Sequence, residues 1–169
     1  GNFIAALPKG GQYACKVEAV DYVFYSQQFN LSDGNFDFKP YILDIELIPI
    51  PTVQNTTQPY SMVLNNIFFE TGSTALLPKS NYEIENIVQM MSANPMLKII
   101  IVGHTDNVGN EKDNFRLSQE RAKSVHDALV FKGIPADKIK YEGKGDTQPI
   151  ADNTTEEGRS KNRRTELVI

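Results

Sequence analysis

Cysteine is almost missing from this chain. Cys15 stands alone, so no internal disulfide can form, and no Cys/His cluster has the spacing of a zinc site. Long apolar runs are missing too. None approaches the roughly 18 residues needed to cross a bilayer, and the first residues lack the basic start and apolar stretch of a secretory signal. This fragment is therefore not expected to insert in a membrane; any export or anchoring segment would lie upstream, with Gly1 opening an excised piece. An excess of basic charge is the third absence. Lys and Arg number 17 against 21 Asp and Glu, for a net charge of -4 and a pI near 5.2. Nucleic acid needs clustered cations that release counterions, so a small or zwitterionic ligand suits the chain better. What is present is a globular balance, 40% apolar and 22% charged over 169 residues. That is enough for one ordinary domain and a small extra module.

Residues 1–50 read as β structure, because short apolar runs alternate with turn signals and no helical period appears. Tyr13, Cys15, Val17 and Ala19 alternate with Lys16 and Glu18, as on a strand with one buried face. Turns are expected at residues 8–11 and 33–35. A last strand is expected over 41–48, with Tyr41, Leu43, Ile45 and Leu47 on its core face. So few strands bury too little to stand alone. Residues 51–59, rich in Pro, Thr, Gln and Asn, read as a linker.

From residue 60 onward strands alternate with helices, which implies a sheet covered by helices. Strands are expected over 62–69, 97–102, 139–142 and 164–169. Helices are expected over 78–94, with Ile84, Ile87, Val88 and Met91 inward, over 114–132, with Leu117, Val125 and Leu129 inward, and over 155–161. Gly133 closes the second helix. The stretch 103–113 reads as a polar loop, with Glu111, Lys112 and Asp113 in solvent.

Chemistry concentrates in Gly103-His104-Thr105-Asp106-Asn107-Val108-Gly109. It sets a carboxylate just past a buried strand, the edge where open α/β sheets receive ligands. Arg121 follows two turns into the next helix, on the stripe of Leu117 and Val125, where an unpaired charge costs several kcal/mol. Two readings stay open at this point. Asp106 and Arg121 form an internal salt bridge, or they stand apart to receive a ligand carboxylate on Arg121 and an ammonium on Asp106.

Five blocks in order carry a wider resemblance: residues 103–109, then Asn114-Phe115-Arg116-Leu117-Ser118-Gln119-Glu120-Arg121-Ala122, Gly143-Lys144-Gly145, Pro149, and Gly158-Arg159-Ser160-Lys161-Asn162-Arg163-Arg164. Over residues 60–169 the chain resembles the OmpA-like C-terminal domain. That resemblance implies an α+β fold, a mixed sheet with helices packed on one face. It also implies non-covalent binding of peptidoglycan through the meso-diaminopimelate of the stem peptide, with no cofactor and no metal. Asp106 and Arg121 take the diaminopimelate zwitterion, the planar guanidinium holding its carboxylate by two parallel hydrogen bonds. Asn114 and Arg163 match further positions that line the pocket, Asn114 serving equally well as a helix N-cap and Arg163 alternatively solvating the final strand; Thr105 and Leu117, within the same blocks, are expected beside the ligand. Phe69, Glu70 and Thr71 match the family's first loop; many members carry Asp where Glu70 stands, which weakens a side-chain role there.

At the other end, Gly1-Asn2-Phe3, Leu7-Pro8-Lys9-Gly10 and Tyr13 resemble part of a carboxypeptidase-regulatory-like β-sandwich. The pairing is similar to multidomain outer-membrane lipoproteins of the Bacteroidetes type, including type IX secretion components. It implies a periplasmic protein attached to the outer membrane through regions outside this chain, with outer-membrane or secretion-complex proteins as further partners. The alternative is a structural adaptor within an envelope complex, with wall binding secondary. His104 is expected to be a locally bonded histidine, since no nucleophile or second ligand accompanies it. Tyr22, Phe24 and Tyr25 are expected in the core or in cross-strand pairs. Without a nucleophile elbow, a metal motif or a catalytic carboxylate pair, the chain does not read as an enzyme.

Overall fold

The computed structural model describes residues 4–8, 10–31, 42–50 and 59–169. The expected turn at 33–35, the linker stretch 51–58, Tyr41 and the run Gly1-Asn2-Phe3 lie outside the described residues.

Strands β1 (Gln12–Val17) and β2 (Tyr25–Asn30) form an antiparallel hairpin. The second part holds β3 (Ser61–Val63), α1 (Asn81–Ala93), β4 (Ile99–Gly103), α2 (Glu111–Phe131), β5 (Ile139–Gly143), α3 (Glu156–Asn162) and β6 (Thr165–Val168). Its sheet runs in the order β3-β6-β4-β5, with only β4 and β5 parallel. The mixed sheet expected from the sequence is therefore present.

Register explains why the helices cover one face. Met62, Leu167, Ile101 and Tyr141 lie in one row across the sheet, and Ile99 pairs with Ile139. Alternate residues share a face, so these side chains meet Ile84, Ile87, Val125 and Leu129 of the helices in a single core. The next row is Thr165, Gly103 and Gly143. A Cβ on Gly103 would stand 2.2 Å from the Ser118 carbonyl oxygen, and one on Gly143 would stand 2.5 Å from the Gln119 nitrogen. Two glycines at the strand ends thus let α2 approach the sheet backbone closely just where it leaves the loop of Asp106.

Several local expectations are corrected. Helix α2 begins three residues earlier than its apolar period suggests. Asn110 is its N-cap, accepting from the Asp113 amide at 2.9 Å; Glu111, Lys112 and Asp113 form its first turn, where acidic side chains suit the helix dipole. Leu117 is only half-buried, and Ser118 faces inward instead, because only a small residue fits over Gly103 and Gly143. The strand expected over 62–69 stops at Val63, where Asn65 and Asn66 turn the chain; Phe69 then bridges Leu76. Residues 42–48 alternate as expected, Leu43, Ile45 and Leu47 half-buried and Ile42, Asp44 and Glu46 exposed, yet they form no strand. Among the described residues this segment pairs through the Val23 amide on the Ile48 carbonyl at 2.8 Å, followed by the Ile50 amide on the Asp21 carbonyl at 2.7 Å, and Pro49, which has no N–H, bridges Tyr22. Ala19 lies beyond the end of β1 and is exposed.

The hairpin region is joined to the larger part by burial. Val23 and Phe24 belong to the same core as the helices, which places Phe24 where the sequence put it. The Asn66 amide, fully buried, donates to the Ser26 hydroxyl at 2.5 Å and to the Glu83 carboxyl at 3.0 Å. Burial pushes the Glu83 carboxyl up from its ordinary range, against the bonds from Asn66, Ser26 and Asn86.

Candidate functional site

A cleft of about 510 Å³ opens beyond the ends of β4 and β6. Its walls come from the segment after β3, from α2 and from the turn between α3 and β6. All the charged residues on its walls are cationic: Arg121, Lys161, Arg163 and Arg164.

Each of these cations but one has a carboxylate partner among the described residues. Lys161 pairs with Glu157 at 2.7 Å, Arg164 with Glu166 at 2.6 Å, and Arg163 with both Asp106 at 2.6 Å and Glu156 at 2.7 Å. Arg121 is the exception. Its Nε donates to the Ser73 carbonyl at 3.1 Å and its guanidinium lies 5.0 Å from the centre of the Phe69 ring, a cation–π distance. Burial, then the neighbouring Arg163 charge, push its guanidinium down from the ordinary range, with Asp106 opposing them. The planar face is held and the charge is not neutralised. Such an arrangement can take an anionic group.

Asp106 is buried beside this cleft rather than on its wall. Its Oδ1 accepts from the Val108 amide at 3.0 Å and its Oδ2 from Arg163. The internal Asp106–Arg121 bridge that the sequence left open is thus not formed; Arg163, at the C-cap of α3, occupies that carboxylate instead. Asn162 explains how α3 delivers Arg163. Fully buried, it accepts from the Ile150 and Ala151 amides at 2.8 and 3.0 Å and donates to the Ala151 carbonyl at 2.9 Å.

Of the other expected positions, Phe69 lines the cleft. Asn114 is buried within α2 and donates to the Asp106 carbonyl at 3.2 Å; it braces the loop and does not cap the helix. Thr105 is buried, with its amide on the Gly145 carbonyl at 2.9 Å and no partner for its hydroxyl. Glu70 and Thr71 are exposed on the first loop, and Leu117 is half-buried on α2, all off the cleft wall. Sequence reasoning missed the Ser73 carbonyl, which no side chain signals, and Glu156, whose role depends on a partner seven residues away. Asn162 lay within a quoted block without a role.

His104 also lines the cleft, buried, its Nε2 3.6 Å from Glu166. Among the described residues neither ring nitrogen has a hydrogen-bond partner, so the local bonding expected of it is not found. Burial, then the Arg164 charge, hold its imidazole down at about 4. Burial pushes Glu166 up, but bonds from Ser61 and Arg164 outweigh it and leave the carboxyl below its ordinary range. Among the described residues no cluster has the makings of a metal site, and no helix is long and apolar enough to cross a membrane.

The family model of OmpA matches residues 68–163, more than half of the chain. The chain belongs to the OmpA family. Among relatives, Outer membrane protein A of Bordetella avium is 43% identical over 102 residues, 60% of this chain and 53% of that protein. Peptidoglycan-binding protein ArfA of Mycobacterium tuberculosis is 44% identical over 104 residues, 61% of this chain and 32% of ArfA. The crystal structure of the peptidoglycan-associated lipoprotein from Burkholderia pseudomallei shares the fold with a TM-score of 0.57 at 27% identity, covering 60% of this chain and 86% of that one. The chain spans about half or less of the length of these curated OmpA-family relatives.

Proposed function

We propose that this chain binds peptidoglycan non-covalently through the meso-diaminopimelate of the stem peptide, anchoring an outer-membrane-associated protein to the cell wall from the periplasm. Membership of the OmpA family supports wall binding, as do relatives named for peptidoglycan. The observation that carries the finer reading is Arg121, half-buried on the cleft with no carboxylate partner among the described residues. The free end of diaminopimelate is an amino-acid zwitterion. Its carboxylate takes the guanidinium of Arg121 in a fork, and its ammonium donates to Asp106 as Arg163 yields. Phe69 and the Ser73 carbonyl keep the Arg121 plane in place; Asn114 and Thr105 steady the loop of Asp106. Glu70, Thr71 and Leu117 flank the ligand. The site performs recognition rather than catalysis. Affinity per site is modest, since one small zwitterion offers few atoms, and the many stems of the wall compensate.

The wider setting follows the resemblance of residues 1–50 to part of a carboxypeptidase-regulatory-like sandwich, as in type IX secretion components such as PorE. In that setting residues 51–59 link the module to the wall-binding domain. A second reading, an adaptor that contacts envelope proteins, is favoured by exposed apolar side chains in this region: Ile4, Val20 and Ile42.

Titration of the chain with a soluble diaminopimelate-containing muropeptide tests the first reading. Asp106→Ala and Arg121→Ala should each weaken binding about tenfold or more, since each removes a charge-assisted contact. Unchanged binding in both variants refutes the site. Envelope association that survives digestion of the wall favours the adaptor.

A further inference from the structure

Arg163 is shared between two carboxylates from different segments. Nη1 donates to Asp106 Oδ2 at 2.6 Å and Nη2 to Glu156 Oε1 at 2.7 Å. Asp106 belongs to the loop after β4; Glu156 opens the first turn of α3. Glu156 is shared in turn: its Oε2 accepts from Arg159 Nε at 2.9 Å while its Oε1 holds Arg163. With Arg121 on the same cleft, the connected set holds three guanidinium charges and two carboxylate charges, so Glu156 keeps its excess at one positive charge. Without Glu156 that excess would double, and Arg163 would be committed to Asp106 alone. A more positive cleft favours a plain anion over a zwitterion, whose ammonium it repels.

We propose that Glu156 determines the selectivity of this cleft for a ligand group bearing both a carboxylate and an ammonium. It is a positioning residue that acts through Arg163. When the ammonium reaches Asp106, Nη1 of Arg163 turns away while Nη2 stays on Glu156, so the displaced cation keeps a partner. Without that second partner, the ammonium would compete with an arginine that has nowhere else to go. This inference rests on the stem-peptide reading above, and it concerns a residue that none of the recognition blocks contains.

The test compares two probes on the full chain by calorimetric titration: the diaminopimelate tripeptide stem, and the same tripeptide with its side-chain amine acetylated. Wild type should favour the free amine by about tenfold, the worth of one charge-assisted hydrogen bond. Glu156→Gln should narrow that ratio by about threefold, as befits an exposed ion pair, through weaker binding of the free-amine stem only. Glu156→Asp should recover much of the ratio. A purely structural role for Glu156 would lower both affinities together and leave the ratio unmoved, and that result overturns the proposal. Equal binding of the two probes by wild type also overturns it while leaving wall binding intact. Failure of wild type to bind either probe overturns the stem-peptide reading and this inference with it.

Discussion

The two halves of α2 do different work. Toward its start the helix buries Asn114 and Ser118 and presents Arg121 to the cleft; toward its end it buries Ala122, Val125 and Leu129 in the core. The first half is polar where it meets the sheet and lies over glycines, so backbone approaches backbone. The second half is apolar and meets Ile101 and Ile139 through side chains. One continuous helix therefore fixes the site to the core without a hinge. Given the proposed site, binding is lost by changes at one end, and stability by changes at the other, nearly independently.

That division can be broken from both sides. Leu129→Ala should have the largest effect on stability, about 2–5 kcal/mol for a fully buried leucine. Chemical denaturation would measure it, and the folded fraction should bind stem peptide as before. Gly103→Ala should cost about 1–3 kcal/mol, because its Cβ would overlap the Ser118 carbonyl and push the polar half away. Here binding should fall as well, since Asn114 braces the loop of Asp106 from the same half. A third perturbation acts on the cleft wall itself. His104 has its proton affinity held at about 4 in the fold, below its ordinary 6.5. The unfolded chain thus takes up a proton first as the pH falls. The stability that neutral His104 contributes is complete above about pH 6.5 and drains away toward pH 4, an effect on the order of 3 kcal/mol at most. His104→Asn should flatten that slope in denaturation curves taken across the window. The smallest change in stability, about 1 kcal/mol, is expected for Arg121→Ala, which loses the bond to the Ser73 carbonyl and the contact with Phe69 but removes no fully buried side chain; its signature is lost binding.

Much of the larger part was legible because its patterns are local. The periods of α1 and α2 and the apolar run of β4 locate the sheet and its cover; spacing singles out Asp106 and Arg121 but leaves their pairing open, and only the family resemblance gives them a ligand. Boundaries were less legible. Two asparagines, Asn110 and Asn114, both have the chemistry of a cap; Asn110 accepts from the Asp113 amide while Asn114 is turned to the Asp106 carbonyl, a tertiary contact that the local sequence does not signal. Residues 42–48 show strand alternation without a ladder, because side-chain period says which face is inward and not which backbone is next to it. The partner of Asp106 was illegible for a related reason. Arg163 lies 57 positions further on, and an ion pair across such a distance has no signature in the chain between.

The most direct test of the account is a crystal of the chain soaked with diaminopimelate tripeptide. The ligand's carboxylate should be found hydrogen-bonded to Arg121 and its ammonium to Asp106, with Arg163 turned toward Glu156. A ligand seated away from both groups, or Arg163 still closed on Asp106 beneath a bound stem, would contradict it.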